Sequence, residues 1–413
     1  MASSALAPHD IADLGLAPAG TARIAWAAEQ MPVLRQVRER FAAERPLAGI
    51  RIAACLHVTA ETANLIITLL AGGAEVALCA ANPLSTQDEV AAALVYDHRI
   101  EVRAARGEPL DRYAAHLRTL IEGGPQITLD DGADLLMLAH KTGGPVLDGL
   151  RGGIEETTTG LIRLRRLHAD TGLRCPVLAV NEARTERALN DRHGTGQSAL
   201  DGIIRASNVL LAGHTLVVIG YGWAGQGIAE RARGAGAAVV ICEIDPLRAL
   251  EARMAGYEVM PALAAAERGD VFVTVTGSRR VVRREHFERM KDGALLANAG
   301  HFDVEIDLDD LAGLALAPPR QVRPLVDQYA LPSGRRLNLL ARGRVVNLAA
   351  AEGHPAAVMD VSFALQALAV EALVGDLAQL APGVQAVPDE IDREVGRLKL
   401  AALGVEIDEP PAD

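Results

Sequence analysis

Residues 214–243 form the segment that most constrains the fold of this chain. The β-rich run His214–Ile219 predicts a strand, and the glycine-rich run Gly220–Gly227 follows it at once. A helical pattern then continues to Arg233, and a second strand is predicted at Ala238–Cys242. This order of strand, loop, helix and strand is typical of a Rossmann unit.

The glycines of this loop have the spacing of a dinucleotide-binding motif. Gly220, Gly222 and Gly225 form G-x-G-x-x-G: the first permits a tight turn, the second lets the backbone approach a pyrophosphate, and the third lets helix and strand pack closely. Glu243 follows the second strand, where a carboxylate accepts both ribose hydroxyls and repels a 2′-phosphate. We therefore expect NAD rather than NADP, with an empty glycine-rich turn as the alternative. Thr276 and Asn298, at the ends of two later strands, are expected along the same cofactor.

A second strand–helix series occupies the N-terminal part of the chain. It predicts a fold of the α/β class, with two Rossmann-like, doubly wound parallel sheets and a ligand cleft between the domains. Strands are predicted at Ile50–Cys55, Glu75–Cys79, Arg99–Ala104 and Gln126–Leu129, and helices at Glu61–Leu70, Gln87–Val95 and Leu110–Glu122.

Polar residues follow three of these strands directly. His57 and Thr59 come after the first strand, Ser85 after the second, and Asp130 and Asp131 after the fourth. Because ligands bind beyond the carboxyl ends of parallel strands, these side chains predict a site. The alternative is that Asp-Asp-Gly is an ordinary turn.

Composition excludes several classes of function. A formal net charge of −12 and only 3% aromatic residues argue against a reader of nucleic acid, which needs a basic surface and stacking platforms. The four cysteines lack the paired spacing of a zinc site, so we expect buried thiols and no metal. No signal peptide or transmembrane run is recognised, the longest apolar candidate being Val209–Gly220, so we expect a cytoplasmic protein without membrane contacts.

Several motifs together closely resemble those of the S-adenosyl-L-homocysteine hydrolase family. The sequences G-T-G-Q-S and G-Y-G-W resemble its prokaryotic, archaeal-type branch. The resemblance covers roughly residues 10 to 408. The motifs are C-L-H-V-T-A-E-T (55–62), S-T-Q-D (85–88), L-D-D-G-A-D-L (129–135), E-E-T-T-T-G (155–160), G-T-G-Q-S (194–198), G-Y-G-W-A-G-Q-G (220–227), E-I-D-P (243–246), M-K-D-G-A-L-L-A-N-A-G-H-F-D-V-E-I-D (290–307) and G-R-V-V-N-L-A-A-A-E-G-H-P (343–355).

The resemblance implies an architecture and a reaction. It implies a nucleoside-binding domain at 1–185, an NAD-binding domain at 186–348, a returning segment at 349–413, and assembly into a homotetramer or a dimer. The family keeps a tightly held NAD, which oxidises the ribose 3′-OH. The resulting ketone acidifies C4′–H, the 5′ substituent leaves, water adds, and the stored hydride reduces the ketone.

The resemblance also assigns roles to residues. It implies that His57 is the acid–base near the 5′ leaving group and that Asp131 accepts the C4′ proton. The implied catalytic group is completed by Glu156, Glu186, Asn190 and His301. The implied nucleoside contacts are Thr59, Glu61, Asp131, Glu156, Asn190 and His354. The implied cofactor contacts are Thr157, Thr158, Thr159, Gly220, Gly222, Gly225, Glu243, Thr276, Asn298 and Asn347.

This sequence departs from the family pattern between residues 180 and 194. Glu186 stands where the family has a lysine that assists deprotonation of the 3′-OH, so the charge is reversed. Asn190 and Asp191 stand in the reverse order of the family's Asp-Asn pair, and Leu365 replaces an asparagine. The family's C-terminal tail, with its Lys and Tyr, is not matched after residue 409, which implies a more open cofactor pocket.

Three functions fit these observations. We favour a divergent enzyme that eliminates water from another, adenine-type nucleoside, as in a nucleoside-antibiotic pathway, because the leaving-group residues match while the sugar contacts differ. One alternative is an ordinary hydrolase that yields adenosine and homocysteine. The other is a non-catalytic, NAD-binding regulator.

Overall fold

The computed structural model describes residues 6–300, 303–375 and 379–408, and every structural statement below refers to them. The strands are β1 (His9–Ile11), β2 (Arg51–Leu56), β3 (Glu75–Ala80), β4 (Glu101–Ala104), β5 (Ile127–Asp130), β6 (Gly152–Glu155), β7 (Pro176–Ala179), β8 (Thr215–Ile219), β9 (Ala238–Cys242), β10 (Glu258–Val259), β11 (Val271–Thr274), β12 (Leu295–Asn298), β13 (Arg320–Arg323), β14 (Val326–Ala330), β15 (Arg336–Leu340) and β16 (Gly383–Ala386).

Helices alternate with these strands along most of the chain. They are α1 (Ala17–Glu29), α2 (Pro32–Glu44), α3 (Ala60–Ala71), α4 (Asp88–His98), α5 (Leu110–Glu122), α6 (Asp134–Thr142), α7 (Gly144–Gly149), α8 (Thr158–Asp170), α9 (Gly196–Ser207), α10 (Trp223–Gly234), α11 (Pro246–Met254), α12 (Ala262–Ala266), α13 (Arg284–Phe287), α14 (Leu308–Leu314), α15 (Val346–Ala349), α16 (Ala356–Val374) and α17 (Asp389–Ala402).

The chain divides into two compact units. The first unit is Met1–Glu186 together with Ala356–Asp413, and the second unit is Arg187–Pro355. The second unit thus begins one residue after the expected 186, and the return to the first begins seven residues after the expected 349. The domain boundaries implied by the family resemblance, 1–185, 186–348 and 349–413, remain a prediction.

The sheet of the first unit is parallel throughout and has the order β1-β4-β3-β2-β5-β6-β7-β16. From β2 the chain adds β3 and β4 on one side, and then returns to the other side of β2 as β5. Ligand crevices in open α/β sheets lie at such a reversal. His57 follows β2 and Asp131 follows β5, so both residues lie at this point.

The sheet of the second unit has the order β10-β9-β8-β11-β12-β15-β14-β13 and is parallel from β10 to β15. Strands β14 and β13 complete one edge in antiparallel orientation. Here the order reverses between β8 and β11, and Gly220 directly follows β8. The α/β class and the two doubly wound sheets expected from the sequence are confirmed.

The packing of α16 corrects one detail of the sequence analysis. By length and composition this 19-residue helix is the one in the described residues that could cross a membrane, whereas the longest apolar run recognised in the sequence is Val209–Gly220. Most of α16 is buried, and its Asp360 accepts hydrogen bonds from the backbone N–H groups of Val33 and Leu34. It is therefore a core helix of the first unit. It was missed because Asp360, Ser362, Gln366 and Glu371 interrupt its apolar run.

The stretch 181–198, which is rich in Arg, Glu, Asn and Gly, is largely helical. A π-helix spans Glu186–Thr195 and leads directly into α9. Glu186 and Asn190 are buried in it, at 2% and 7% exposure. The polar composition of the stretch does not indicate that these side chains are buried. All four cysteines are buried and free, as expected.

Candidate active site and cofactor site

His57 and Asp131 meet at the reversal point of the first sheet. Nε2 of His57 lies 3.3 Å from Oδ2 of Asp131, and Nδ1 lies 2.6 Å from Oγ of Ser85. The Ser85 hydroxyl donates its hydrogen to the carbonyl of Asn82 at 3.0 Å, so its oxygen accepts from Nδ1–H of the imidazole. Nε2 is thereby left as the nitrogen that exchanges a proton with Asp131 or with a ligand.

Two pairs of adjacent acids end the neighbouring strands β5 and β6. Asp130 and Glu155 are paired in the sheet register, and Asp131 and Glu156 follow them. Side chains of an extended chain alternate between opposite directions, so the acids of each pair have different partners. Asp130 accepts from the N–H groups at the start of α6, whereas Asp131 faces His57. The second acid of each pair therefore belongs to the candidate site.

Glu156 is a half-buried carboxyl with acidic neighbours. Oγ of Ser362 donates to its Oε1 at 3.3 Å, and Nε2 of Gln366 donates to Ser362 at 3.3 Å. Burial, followed by the negative charges of Asp131 and Glu186, raises the pKa of Glu156 well above its usual range. Both causes favour the protonated form of Glu156, which is the form that a general acid requires.

The threonines expected at the site lie at helix starts in the first unit. Thr59 precedes α3, and its Oγ1 accepts from the N–H of Thr62 at 3.4 Å. Thr157 precedes α8 and accepts from Gly160 N–H at 2.9 Å. Thr158 donates to the side chain of Asn181 at 2.8 Å. Glu61 lies in the first turn of α3 and is half-buried, as is Thr159 in α8. His301 lies outside the described residues.

The glycine-rich loop of the second unit has the geometry that its motif requires. Gly220 has φ +104°, and a Cβ there would lie 2.7 Å from the carbonyl oxygen of Val275. A Cβ on Gly225 would lie 2.1 Å from the carbonyl oxygen of Gly220, so helix α10 packs against the strand end only with glycine. A Cβ on Gly222 would meet only Nη1 of Arg248, at 3.7 Å, so the backbone here is open to a phosphate.

Glu243 holds the end of β9 beside this loop. Its carboxylate accepts from the backbone N–H groups of Tyr221 at 2.7 Å, Ile244 at 2.6 Å and Asp245 at 2.9 Å. Oε1 accepts from Ile244 and Asp245, whereas Oε2 accepts only from Tyr221 and so has acceptor capacity left for a ribose hydroxyl. The half-buried Glu243 is therefore fixed in the place that a dinucleotide ribose requires.

Asn347 and His354 come together in the second unit. Nδ2 of Asn347 donates to Oγ of Ser198 at 3.2 Å and to Nε2 of His354 at 3.4 Å, and Oγ1 of Thr195 lies 3.2 Å from that same nitrogen. Oδ1 of Asn347 is buried and has no hydrogen-bond partner in the described part of the chain. Buried polar atoms are normally paired, so this oxygen fits a ligand donor such as the nicotinamide amide. The orphaned atom and the open loop both fit NAD.

Thr276 is held by the carboxylate of Glu305, and Asn298 is held by its own neighbours. Glu305, 1% exposed, accepts from Thr276 Oγ1 at 2.8 Å and from Gly277 N–H at 2.8 Å. Asn298 is fully buried and bonds Thr274 and Gly300. Glu305 lies inside the motif at 290–307, which is the signal that the sequence offers for it.

The swapped pair lies in the π-helix of the second unit. Asn190 is buried, and burial raises the pKa of Asp191 to about 7, although the charge of Arg187 opposes the shift. Taken unit by unit, the structure brings His57, Asp131, Glu156 and Glu186 together in the first. In the second it brings Asn347 together with His354, and the glycine loop together with Glu243.

Comparison with known proteins identifies the family. A family model described as S-adenosyl-L-homocysteine hydrolase matches residues 8–148, and its NAD binding domain matches residues 191–353. The adenosylhomocysteinase of Aquifex aeolicus is 57% identical over 400 residues, which cover 97% of this chain and 96% of that protein. The adenosylhomocysteinase of Saccharolobus solfataricus is 53% identical over 97% of this chain and 96% of that protein. The S-inosyl-L-homocysteine hydrolase of Methanopyrus kandleri is 51% identical over 97% of this chain and 94% of that protein. The chain therefore belongs to the S-adenosyl-L-homocysteine hydrolase family, and NAD is its cofactor.

Proposed function

We propose that this enzyme hydrolyses S-adenosyl-L-homocysteine to adenosine and homocysteine. The observation that carries the proposal is the contact of 3.3 Å between His57 and Asp131 at the sheet reversal. Support comes from relatives with identities of 51–57% over nearly the whole chain, which are named for hydrolysis of a nucleoside thioether. When bound, NAD supplies oxidation at the 3′ carbon and restores it at the end of the cycle.

The residues of the first unit supply the proton transfers in this proposal. Asp131 accepts the acidified C4′ proton, and His57 gives a proton to the departing homocysteine sulfur. When water adds, His57 takes the proton from water, and Asp131 returns one to C4′. The imidazole is suited to both directions because Ser85 fixes the hydrogen on Nδ1 and leaves Nε2 available.

A second candidate is the elimination of water from a nucleoside that carries a hydroxymethyl group. Glu186 favours it, because a buried carboxyl stands where the family has a lysine, and its charge adds to that of Asp131 in raising the pKa of Glu156. The residues that differ from the family pattern are those implied to hold the sugar, whereas His57 and Asp131 are retained. A different sugar would require altered sugar contacts and the same proton transfers.

A substrate panel separates the two candidates. Purified protein with NAD is incubated with S-adenosylhomocysteine, S-inosylhomocysteine, adenosine and sugar-modified adenine nucleosides, and products are followed by thiol release and by mass. The proposal expects homocysteine from the thioethers. Loss of water from a nucleoside without thiol release would instead establish the second candidate. Bound NAD without turnover of any nucleoside would contradict both and indicate a regulator.

The Glu186→Lys variant tests whether the reversed charge sets the reaction. If the wild type releases homocysteine, the rate of homocysteine release by Glu186→Lys should differ from the wild-type rate by less than about tenfold. A large gain of homocysteine release in Glu186→Lys, but not in the neutral control Glu186→Gln, would favour the second candidate. It would show that the family reaction requires a cation at this position.

We also propose that the enzyme is cytoplasmic and assembles into a homotetramer or a dimer. This part rests on the family resemblance alone. Multi-angle light scattering of the purified chain measures the mass directly, and a single species at the monomer mass would contradict the assembly.

A further inference from the structure

We propose that Glu155 is a positioning residue that sets the separation between Asp131 and Glu156. It does so by bonding the backbone that follows each of them. This inference rests on the proposed function, in which Asp131 and its neighbours carry the proton transfers.

One carboxylate oxygen makes all three of the contacts. Oε1 of Glu155 accepts from the backbone N–H of Gly132 at 2.9 Å and from the backbone N–H and Oγ1 of Thr157 at 2.9 and 2.8 Å. Gly132 directly follows Asp131, and Thr157 directly follows Glu156. The paired register of β5 and β6 ends at Asp130 and Glu155, so beyond this point a side chain links the two segments.

The segment after Asp131 needs such a fixed point. Gly132 has φ +117°, and Ala133, a residue with a Cβ, has φ +65°. The left-handed conformation costs an alanine about 1 kcal/mol, so the turn persists only where its surroundings hold it. Glu155 holds its N–H side, and Arg163 donates to the carbonyl of Gly132. Asp131 is therefore presented to His57 from a turn that other residues hold in place.

Glu155 acts through these neighbours and not on a ligand. Its side chain is fully buried, and Oε2 has no hydrogen-bond partner within the described ranges. Burial, together with the charge of Asp130, raises the pKa of Glu155 well above its usual range. A group that is sealed from solvent and bonded only to backbone and one threonine is placed to fix geometry.

Gly160 offers a way to displace this carboxyl without changing its chemistry. A Cβ at position 160 would lie 2.2 Å from the Cδ of Glu155. The Gly160→Ala variant therefore pushes Glu155 away from Gly132 and Thr157. The matched control is Gly396→Ala in α17, where an added Cβ meets no atom within 4 Å.

The test compares Glu155→Ala, Glu155→Gln, Gly160→Ala and Gly396→Ala in the NAD-loaded protein. We expect faster hydrogen–deuterium exchange in the peptides that contain Gly132 and Thr157 for Glu155→Ala and Gly160→Ala. We also expect a loss of kcat of about 100-fold with KM changed by less than about threefold, because misplacement of about 1 Å costs this much. Glu155→Gln retains the accepting oxygen, so it should keep kcat within about tenfold of the wild type.

Two results would overturn the inference. One is an unchanged kcat in Glu155→Ala and Gly160→Ala while the wild type turns over its substrate. The other is an equal loss in Glu155→Gln and Glu155→Ala, which would assign the effect to charge. Failure of the proposed function is distinguishable, because there the wild type itself releases no product. The exchange measurement reads the Glu155 contacts in either case.

Discussion

Nε2 of His57 lies 3.3 Å from Oδ2 of Asp131, and the two residues follow strands that flank the reversal of one parallel sheet. This relationship joins a general rule of α/β folds to a specific chemistry. Ligands of parallel α/β sheets bind at such a reversal, and the histidine–aspartate pair can transfer a proton at that place.

Ser85→Ala should slow proton transfer at His57. The variant removes the acceptor that holds the hydrogen on Nδ1, so the imidazole populates the other tautomer and Nε2 ceases to be the available nitrogen. We expect kcat to fall by about 10- to 100-fold with a smaller change in KM. Steady-state product release measures it, with Ser207→Ala in α9 as the control. An unchanged kcat would show that Ser85 does not set the tautomer.

Asn347→Ala should weaken NAD binding. The variant removes a buried oxygen that has no partner among the described residues, and with it an acceptor for the cofactor. We expect the Kd for NAD to rise about tenfold, because the free energy lost is about that of one hydrogen bond. Titration of NAD into the apoprotein measures it, with Asn338→Ala on β15 as the control. Because Asn347 also bonds Ser198, Ser198→Ala should have the smaller effect, and the reverse order would contradict the assignment.

Glu243→Ala should reduce the preference for NAD over NADP. The variant removes the ribose acceptor and the negative charge that repels a 2′-phosphate. We expect the Kd of NAD to rise by about tenfold and the ratio of the two affinities to move toward one. Glu251→Ala, on the exposed face of α11, is the control. If the ratio stays as in the wild type, Glu243 does not select the cofactor.

Asp130→Asn should reduce the pH dependence of stability. Burial raises the pKa of Asp130 from 3.8 to about 7. Between these values the folded chain holds a proton that the unfolded chain has lost, so this group's contribution to stability falls as the pH rises through that window. The full effect is on the order of 4 kcal/mol, and the neutral asparagine removes it.

Thermal unfolding at about pH 5 and about pH 8 measures this difference. The gap between the two Tm values should be smaller in Asp130→Asn than in the wild type, even though the variant also loses one hydrogen bond at the start of α6. Asp201→Asn, on an exposed face of α9, is the control and should keep the wild-type gap. An equal gap in Asp130→Asn would contradict the raised pKa.

The regular elements could be predicted because their signals are local. The helix Leu110–Glu122 and the strand Ala238–Cys242 have the predicted bounds, and the other predicted strands are displaced by one or two residues. Their apolar periods of 3.6 and 2 residues depend only on neighbouring positions. The glycine spacing of the dinucleotide loop is also a local signal, and a Cβ on Gly225 would meet the carbonyl oxygen of Gly220 in the same loop. The contact that requires glycine at 220 is not local, because it involves Val275 after β11.

The positioning residues could not be predicted from local pattern. Glu155 bonds Gly132, which lies 23 residues away, and Glu305 bonds Thr276, which lies 29 residues away. Only the folded sheet brings these partners together. The π-helix Glu186–Thr195 was missed for a related reason, because its buried Glu186 and Asn190 have the composition of a solvated loop.

In the proposed reaction, Asp131 is the base that removes the C4′ proton of the nucleoside. The most direct measurement is exchange of that hydrogen with solvent. The NAD-loaded protein is incubated with adenosine in D₂O, and the recovered nucleoside is examined for deuterium at C4′. We predict incorporation by the wild type and its loss in Asp131→Asn with NAD still bound. Recovery of adenosine without deuterium from the NAD-loaded wild type would contradict the account.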